Sequence, residues 1–265
     1  MPHISFSELK NWDTCPHYHK LVNIEKIKIF QGNAYTAFGT AMHTVCEDKL
    51  LDESIDEVEH FELSFLKELK SLPKSAIEEL DRTMVEKMRV AGKTIAPLVI
   101  PALGKYFSSG YEVLKTEEDL MVPIDGHDDY KFKGFIDLVL KTPDGKIHII
   151  DWKTCSWGWD SRKRTEPMTT YQLTYYKNFY AKKHGVELSE IETHFALLKR
   201  TAKKDHVELF LVSSGAKKTK NALNLLDKAL YNITNKNYVK NRLACHGKYG
   251  TCEFYNTEHC KRNGE

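Results

Sequence analysis

The sequence predicts an α/β fold organised around a β-hairpin. Two strand patterns, Phe132–Leu140 and Lys146–Thr154, flank a Pro-Asp-Gly segment that supplies the backbone angles of a tight reversal. Two further strand patterns, Glu192–Lys199 and His206–Val212, follow a long helical segment. Strands that alternate with amphipathic helices are typical of α/β proteins.

The N-terminal part of the chain predicts two helices. Ser5 and Glu8 have the spacing of a capping box, and Pro16 is expected to end the short helix that Ser5 opens. The second helix is predicted over Phe38–Leu51, with His43 near its start. A histidine in this position is by itself more often packed or solvated than a ligand.

A helical insertion is predicted next, over about residues 52–107. Ser54–Lys70 and Ser75–Val90 are amphipathic and strongly charged, and the second of them opens with another capping-box spacing. A third helix, near Thr94–Phe107, contains two prolines and is expected to bend. We expect this insertion to cover the core or to form one wall of a groove.

The remaining elements complete the predicted core. Tyr111–Pro123 has the pattern of a strand, Cys155–Glu166 that of a loop, Pro167–His184 that of a helix stopped by a glycine, and Ala216–Asn232 that of a last amphipathic helix. A cysteine-bearing tail follows.

Composition limits the class of protein. The 265 residues are 41% hydrophobic and 29% charged with a net charge of +2, as in an ordinary soluble globular protein. No apolar run is long enough to span a membrane, and the N-terminus has no signal-peptide pattern, so a cytoplasmic protein is expected. We expect one domain over residues 1–265, with a core at about 108–215 and a helix and tail at 216–265.

Charged residues on the predicted hairpin point to metal chemistry. Asp151 and Lys153 share one face of their strand, and Asp137 lies in a run as apolar as a buried strand. A buried carboxylate is costly unless a cation or hydrogen bonds compensate it. The hairpin is therefore a candidate seat for a hard divalent cation, although an aspartate that caps a loop would leave the same pattern.

Six cysteines are the second chemical signal. Disulfides are disfavoured in the cytosol, so clustered cysteines indicate a metal site, and four thiolates suit either zinc or a 4Fe-4S cluster. The segment after the hairpin interleaves tryptophan with basic residues, which suits contact with a single nucleic-acid strand. A packed loop anchored by tryptophan is an equally good interpretation of the residues concerned: Trp157, Arg162, Lys163 and Arg164.

Taken in order, these motifs resemble the RecB-like nucleases of the PD-(D/E)XK superfamily. The similarity is greatest to the iron–sulfur members found in AddB, CRISPR adaptation nucleases and phage exonucleases. The matching motifs are GTAMH ending at His43, Glu117, GFIDLVL with Asp137, IIDWKT with Asp151 and Lys153, QLTYY with Gln172 and Tyr176, SFSELKNWDTCP with Cys15, and the late Cys245, Cys252 and Cys260.

The resemblance implies a restriction-endonuclease-like fold, in which helices flank a mixed central sheet and a cysteine-ligated metal flap joins the termini. It implies that Mg²⁺ or Mn²⁺ is bound by His43, Asp137, Asp151 and the Trp152 carbonyl. Lys153 would orient or deprotonate the attacking water, and the implied catalytic set is Asp137, Asp151, Lys153, Gln172, Tyr176 and Glu117.

The resemblance also implies a 4Fe-4S cluster, with zinc as the alternative. Its ligands would be Cys15, Cys245, Cys252 and Cys260, with His246 and His259 as substitutes. Cys46 and Cys155 are expected to be spare thiols.

The resulting hypothesis is a metal-dependent DNA nuclease, most naturally an exonuclease on duplex ends or single strands. The chain has no phosphate-binding loop of the GxxxxGK[ST] type, so a helicase or recombination partner would be a separate protein. Two alternatives stay open: a non-catalytic DNA-binding scaffold and a zinc-stabilised RNA-processing nuclease. A phage origin is suggested only by analogy.

Overall fold

The computed structural model describes residues 2–27, 29–247 and 250–261. The strands are β1 (His3–Ser5), β2 (Glu112–Ile124), β3 (His127–Lys141), β4 (Ile147–Cys155), β5 (Ile191–Lys199), β6 (Val207–Leu211), β7 (His246–Gly247) and β8 (Gly250–Thr251). The helices are α1 (Phe6–Thr14), α2 (Pro16–His19), α3 (Ala34–Leu51), α4 (Glu57–Ser71), α5 (Lys74–Glu78), α6 (Arg82–Ile95), α7 (Val99–Tyr106), α8 (Ser161–Thr165), α9 (Pro167–His184) and α10 (Ala216–Thr234).

The chain forms two compact units, each assembled from separate segments. The first contains Met1–Phe30, Met121–Lys133 and Lys217–Glu265, and the second contains Gln31–Leu120 and Gly134–Ala216. The boundary falls inside β2 and β3, so each unit holds part of both strands.

The second unit is built on a mixed sheet, as the sequence predicted. β3 pairs antiparallel with β4, β4 pairs parallel with β5, and β5 pairs antiparallel with β6. The parallel β4–β5 pair is connected through α9, which is the usual way to join parallel neighbours. In the first unit, β1 pairs parallel with Lys131–Lys133 of β3.

The core of the second unit lies between this sheet and the helices of the insertion. Phe38, Phe61 and Phe65 are buried together, with ring centroids 5.5 to 5.9 Å apart. They pack in one cluster with Trp152 and with Ala196 of the sheet. Burial of these rings holds α3 and α4 on the sheet, and α3 carries part of the site described below.

Several predicted boundaries are confirmed. The Ser5 hydroxyl accepts a hydrogen bond from the Glu8 amide and begins α1. The hairpin turn has Gly145 at φ +85°, and α9 stops at Gly185 with φ +66°. Both glycines adopt the left-handed conformation that side-chain-bearing residues avoid.

The insertion differs from the prediction in how its helices begin. The predicted Ser75–Glu78 capping box is wrong, because α5 begins at Lys74, follows Pro73 and has no side-chain cap. A new helix, α6, starts beyond it with Asp81 as its cap, accepting from the amides of Thr83 and Met84. The expected bend is a short 3₁₀ turn, Ala96–Leu98, because Pro97 cannot continue an α-helix.

Two other predictions need correction. α3 begins at Ala34 rather than Phe38, because Asn33 forms the capping box with Thr36, and this places His43 in mid-helix. The predicted loop Cys155–Glu166 contains α8, capped by Asp160. Within the described residues, no helix is long and apolar enough to cross a membrane.

Candidate active site

Asp137 and Asp151 lie where the β3–β4 ladder ends. The last pair of that ladder is Leu138 opposite Ile150, so the register places the two aspartates opposite one another. Just beyond the last pair, the backbone N–H of Trp152 donates to Asp137 Oδ2 at 2.7 Å. One carboxylate oxygen of Asp137, Oδ2, thus holds the two strands together. The other, Oδ1, is available to the site.

Asp151 is the most enclosed charged group of the site, with only 2% of its side chain exposed. Lys153 Nζ lies 2.5 Å from its Oδ2, and Gln172 Nε2 donates to its Oδ1 at 2.9 Å. Gln172 Nε2 also donates to the Tyr176 hydroxyl at 3.1 Å, as their four-residue spacing on α9 allows. Burial raises the pKa of Asp151 even though the Lys153 ammonium opposes this.

The helix α3 adds two donors to this cluster. His43 Nδ1 lies 3.5 Å from Asp137 Oδ1, and donor atoms of His43, Glu47 and Asp137 lie within 4.8 Å of one another. Glu47 was absent from the sequence prediction. The signal that could have found it is the four-residue spacing from His43, which puts both side chains on one face of a helix.

The electrostatics of this cluster suit a divalent cation. Burial, followed by the negative charges of Asp137 and Glu117, raises the pKa of Glu47 to about 8. Burial acts to lower the pKa of His43, but its hydrogen bond and charge interaction with Asp137 outweigh burial and raise it. Carboxylates this close repel one another, and a bound cation relieves that repulsion. Imidazole and carboxylate oxygens are ligands that Mn²⁺ and Mg²⁺ accept.

Glu117 has an unusual backbone conformation. It lies inside β2 with φ +47°, in the left-handed region that non-glycine residues seldom adopt in a strand. The negative charge of Glu117 helps to raise the pKa of Glu47. The next residue, Glu118, instead forms ion pairs with Lys183 and His184 at 2.8 and 2.7 Å. A local distortion of this kind re-aims side chains next to functional sites.

The four residues predicted to contact nucleic acid have different surroundings. Trp157 is 73% exposed, and Arg162 is also exposed. Lys163 pairs with Glu166 at 2.5 Å. Arg164 donates to Glu208 at 2.6 Å and its guanidinium lies 4.4 Å from the Phe210 ring centroid, so its contacts also hold α8 on β6.

The four cysteines expected to bind a cluster line one cleft of the first unit, of about 610 Å³. The Asn241 amide donates to Cys15 Sγ at 3.3 Å, which is the kind of bond that stabilises a metal-bound thiolate. Across the described ranges, no three cysteine sulfurs lie within 4.8 Å of one another. A zinc ion with bonds of about 2.3 Å brings its thiolates to about 3.8 Å apart, whereas a four-iron cluster holds them farther apart.

A profile of the PD-(D/E)XK nuclease superfamily matches residues 3–261. The chain belongs to the PD-(D/E)XK nuclease superfamily. Nucleases of this superfamily use divalent metal ions, in agreement with the donor set on α3 and β3.

One solved structure supports the fold. A protein from Eubacterium rectale described as a "putative exonuclease" is 11% identical, with 90% of this chain and 83% of that chain covered and a TM-score of 0.58. The structure of SSO0001 is 14% identical over 73% of this chain and 84% of that chain, with a TM-score of only 0.34. No curated protein sequence matches the chain.

Proposed function

We propose that this chain is a metal-dependent deoxyribonuclease that hydrolyses phosphodiester bonds at DNA ends or in single strands. One observation carries the proposal: Asp137, Asp151 and Lys153 lie together at the open end of the β3–β4 ladder, away from its turn. His43 and Glu47 of α3 lie beside Asp137. A scaffold protein has no need to keep a lysine beside a buried aspartate at such a site, since burying charged groups is costly.

Each residue has a role in this proposal. A bound Mg²⁺ or Mn²⁺ supplies charge stabilisation and a more acidic water. His43, Glu47, Asp137 and Asp151 are the groups that would hold it. Lys153 is close enough to Asp151 to be held in place, and its ammonium can stabilise the charge that develops on the phosphate.

Gln172 and Tyr176 are positioning residues in this scheme. Gln172 fixes one oxygen of Asp151, which leaves the other oxygen directed at Lys153. Tyr176 accepts the second hydrogen of the Gln172 amide, and burial raises the pKa of its phenol, so it stays protonated. The function of the pair is to restrict the orientation of the Asp151 carboxylate.

A substrate panel tests the proposal. The purified chain is given 5′-labelled duplex DNA, single-stranded DNA, covalently closed circular DNA and RNA of the same sequence, with Mg²⁺, Mn²⁺ or EDTA. We expect cleavage of linear DNA that EDTA abolishes. Cleavage of RNA alone would establish the RNA-processing alternative, and DNA binding without cleavage in any metal would establish the scaffold alternative.

We further propose that Cys15, Cys245, Cys252 and Cys260 ligate one 4Fe-4S cluster. The shared cleft and the amide bond to Cys15 Sγ support this. Visible absorbance near about 400 nm in anaerobically purified protein is expected, together with about four irons per chain. One equivalent of zinc in a colourless protein would replace iron by zinc and would keep the same ligands.

A further inference from the structure

A second cluster of metal-binding side chains lies in the second unit, apart from the residues of the candidate active site. His148 on β4 and Glu192 and His194 on β5 bring their donor atoms within 4.8 Å of one another. They line a cleft of about 320 Å³ whose other lining residues include Tyr106 and Thr142. His148 comes at the beginning of β4, whereas Asp151 and Lys153 come later, at its middle and beyond.

The donor atoms of these three side chains lie close together. His148 Nδ1 lies 3.0 Å from His194 Nε2 and 3.7 Å from Glu192 Oε2. Ligands of a tetrahedral zinc ion with bonds of about 2.0 to 2.1 Å lie about 3.3 Å apart. Both distances from His148 Nδ1 therefore lie within about half an ångström of that value, and the third pair of donor atoms lies within 4.8 Å.

The other nitrogen of His148 is oriented by hydrogen bonds. Thr142 Oγ1 donates to Asp144 Oδ1 at 2.5 Å, so the same hydroxyl must accept at its 2.9 Å contact with His148 Nε2. His148 therefore carries its proton on Nε2, and the lone pair of its Nδ1 faces His194 and Glu192. Carboxylate-linked bonds of this kind fix the tautomer of metal-binding histidines.

His194 has a partner that allows either tautomer. Its Nδ1 lies 3.2 Å from the Tyr106 hydroxyl, which can donate to that nitrogen or accept from it. Without metal, His194 Nε2–H can donate to His148 Nδ1. With metal, the proton moves to Nδ1 and bonds to Tyr106, so binding needs no net loss of a proton from the ring.

Burial keeps both rings available as ligands. His148 is 6% exposed and His194 is 2% exposed, and Phe107 lies against both rings. Burial of a ring disfavours its charged imidazolium form, which has no lone pair to offer a metal ion. Glu192 is partly exposed and supplies the one negative charge of the set.

We propose that His148, Glu192 and His194 bind one divalent transition-metal ion of the Zn²⁺ class, with its fourth position open to the cleft. Two imidazoles and one carboxylate are a donor set that zinc takes with an open coordination position. A simple hydrogen-bonded histidine pair would explain the 3.0 Å contact. It would not explain why the Glu192 carboxylate lies beside that nitrogen pair while Thr142 holds the proton of His148 on its other nitrogen.

Zinc titration of the full-length protein tests this site. A chromophoric chelator competes for Zn²⁺ with the wild type, Glu192→Gln, Thr142→Val and the control Glu190→Gln, whose glutamate lies outside the cluster. Zinc that binds elsewhere on the chain contributes equally to all four proteins, so it cancels in the comparison. We expect Glu192→Gln to lose one equivalent and Thr142→Val to bind it about 10- to 100-fold more weakly. Glu190→Gln should match the wild type.

Cobalt spectra give a second readout that does not depend on activity. The difference spectrum between Co²⁺-loaded wild type and Glu192→Gln should show visible d–d bands without thiolate charge transfer. A melting temperature that Zn²⁺ raises in the wild type but not in Glu192→Gln would agree. Equal zinc stoichiometry and affinity in wild type, Glu192→Gln and Thr142→Val would overturn the proposal and leave the histidines as a hydrogen-bonded pair.

Discussion

At the scale of single residues, Asp151 and Lys153 form a pair with unequal surroundings. The aspartate is enclosed, whereas 31% of the lysine side chain is exposed. Lys153→Met removes the cation and keeps most of the volume. We expect at least about a 10²-fold loss of kcat, because charge stabilisation of a transition state is typically worth several kcal/mol.

The matched control for this substitution is Lys141→Met on β3, an exposed lysine that should leave kcat unchanged. Single-turnover cleavage and circular dichroism of both variants separate chemistry from folding. Near-normal kcat in a folded Lys153→Met protein would remove Lys153 from the mechanism.

Glu47 gives a second prediction at this scale. Glu47→Gln keeps the shape of the side chain but weakens a metal ligand, so the Mn²⁺ concentration for half-maximal activity should rise about 10-fold or more. The control is Glu53→Gln, at an exposed position just beyond α3. An unchanged Mn²⁺ requirement would show that Glu47 does not bind the ion.

Residues of the site differ in how far the sequence could predict them. Asp137 and Asp151 stand out because a carboxylate inside an apolar strand pattern needs compensation. Glu47 does not stand out, because a glutamate on a charged helix is ordinary until the helix is placed against β3. The His148–Glu192–His194 cluster was missed for the same reason, since the β4–β5 register alone brings its members together.

At the scale of elements, two helical glycines offer opposite predictions. A Cβ on Gly92 of α6 would meet the Phe61 ring at less than 2.5 Å, and that ring is fully buried. Gly92→Ala should therefore lower the free energy of unfolding by about 1–3 kcal/mol. Gly104→Ala in α7 meets nothing within 4 Å and should raise it by up to about 1 kcal/mol.

Urea unfolding of both variants measures this difference. Two similar changes in the free energy of unfolding would mean that α6 does not approach α4 as closely as described. The comparison also tests how the insertion is packed, because Gly92 and Phe61 belong to its two longest helices.

The contact between β2 and α9 is expected to make the stability of the fold depend on pH. Burial acts to raise the pKa of Glu118, but bonds from Lys183 and His184 outweigh it and lower the pKa below its ordinary value of 4.5. A depressed carboxyl pKa stabilises the fold above the unfolded value and loses this effect as pH falls through the folded one. We expect the stability difference between wild type and Glu118→Gln to be constant above about pH 5 and to shrink below about pH 4.

Thermal melting between pH 3 and pH 7 measures that difference. The same experiment with Glu112→Gln, at an exposed position of the same strand, gives the background. A difference that is independent of pH would show that Glu118 is not held in its charged form.

Elements were predicted best where a single residue dictates the backbone. Gly145 and Gly185 fixed a turn and a helix end, and Pro167 fixed a helix start. Helix starts in the insertion were predicted less well. Several Ser and Asp residues there are equally able to cap, and tertiary packing decides between them.

At the scale of the whole molecule, four cysteines from distant parts of the chain line one cleft. Cys15 belongs to the N-terminal segment that lines this cleft. The other three cysteines belong to the C-terminal tail of the same unit. Cys15→Ser should remove the cluster absorbance, lower the melting temperature and expose the tail to proteases, because a metal that closes a long loop stabilises the fold.

Cys46→Ser and Cys155→Ser are the matched controls, since both thiols lie in the other unit. They should keep the colour and the iron content. Iron content retained in full by Cys15→Ser would exclude Cys15 as a ligand.

The two-unit organisation itself was beyond sequence reasoning. Each unit gathers segments that are far apart in the chain, and the boundary runs through the middle of two strands, where composition does not change. Periodicity reports local structure and cannot report which distant segments pack together.

The hydrogen bond from Trp152 to Asp137 matters for capturing a substrate complex. An inactive variant is the usual means of trapping uncut DNA, and Asp137→Ala would be a poor choice for it. Alanine leaves the Trp152 N–H without its acceptor, which costs about 1–3 kcal/mol if the group stays buried. The end of the hairpin could then shift and distort the pocket to be imaged. Lys153→Met leaves that bond in place, so crystallisation and cryo-electron microscopy should start from the lysine.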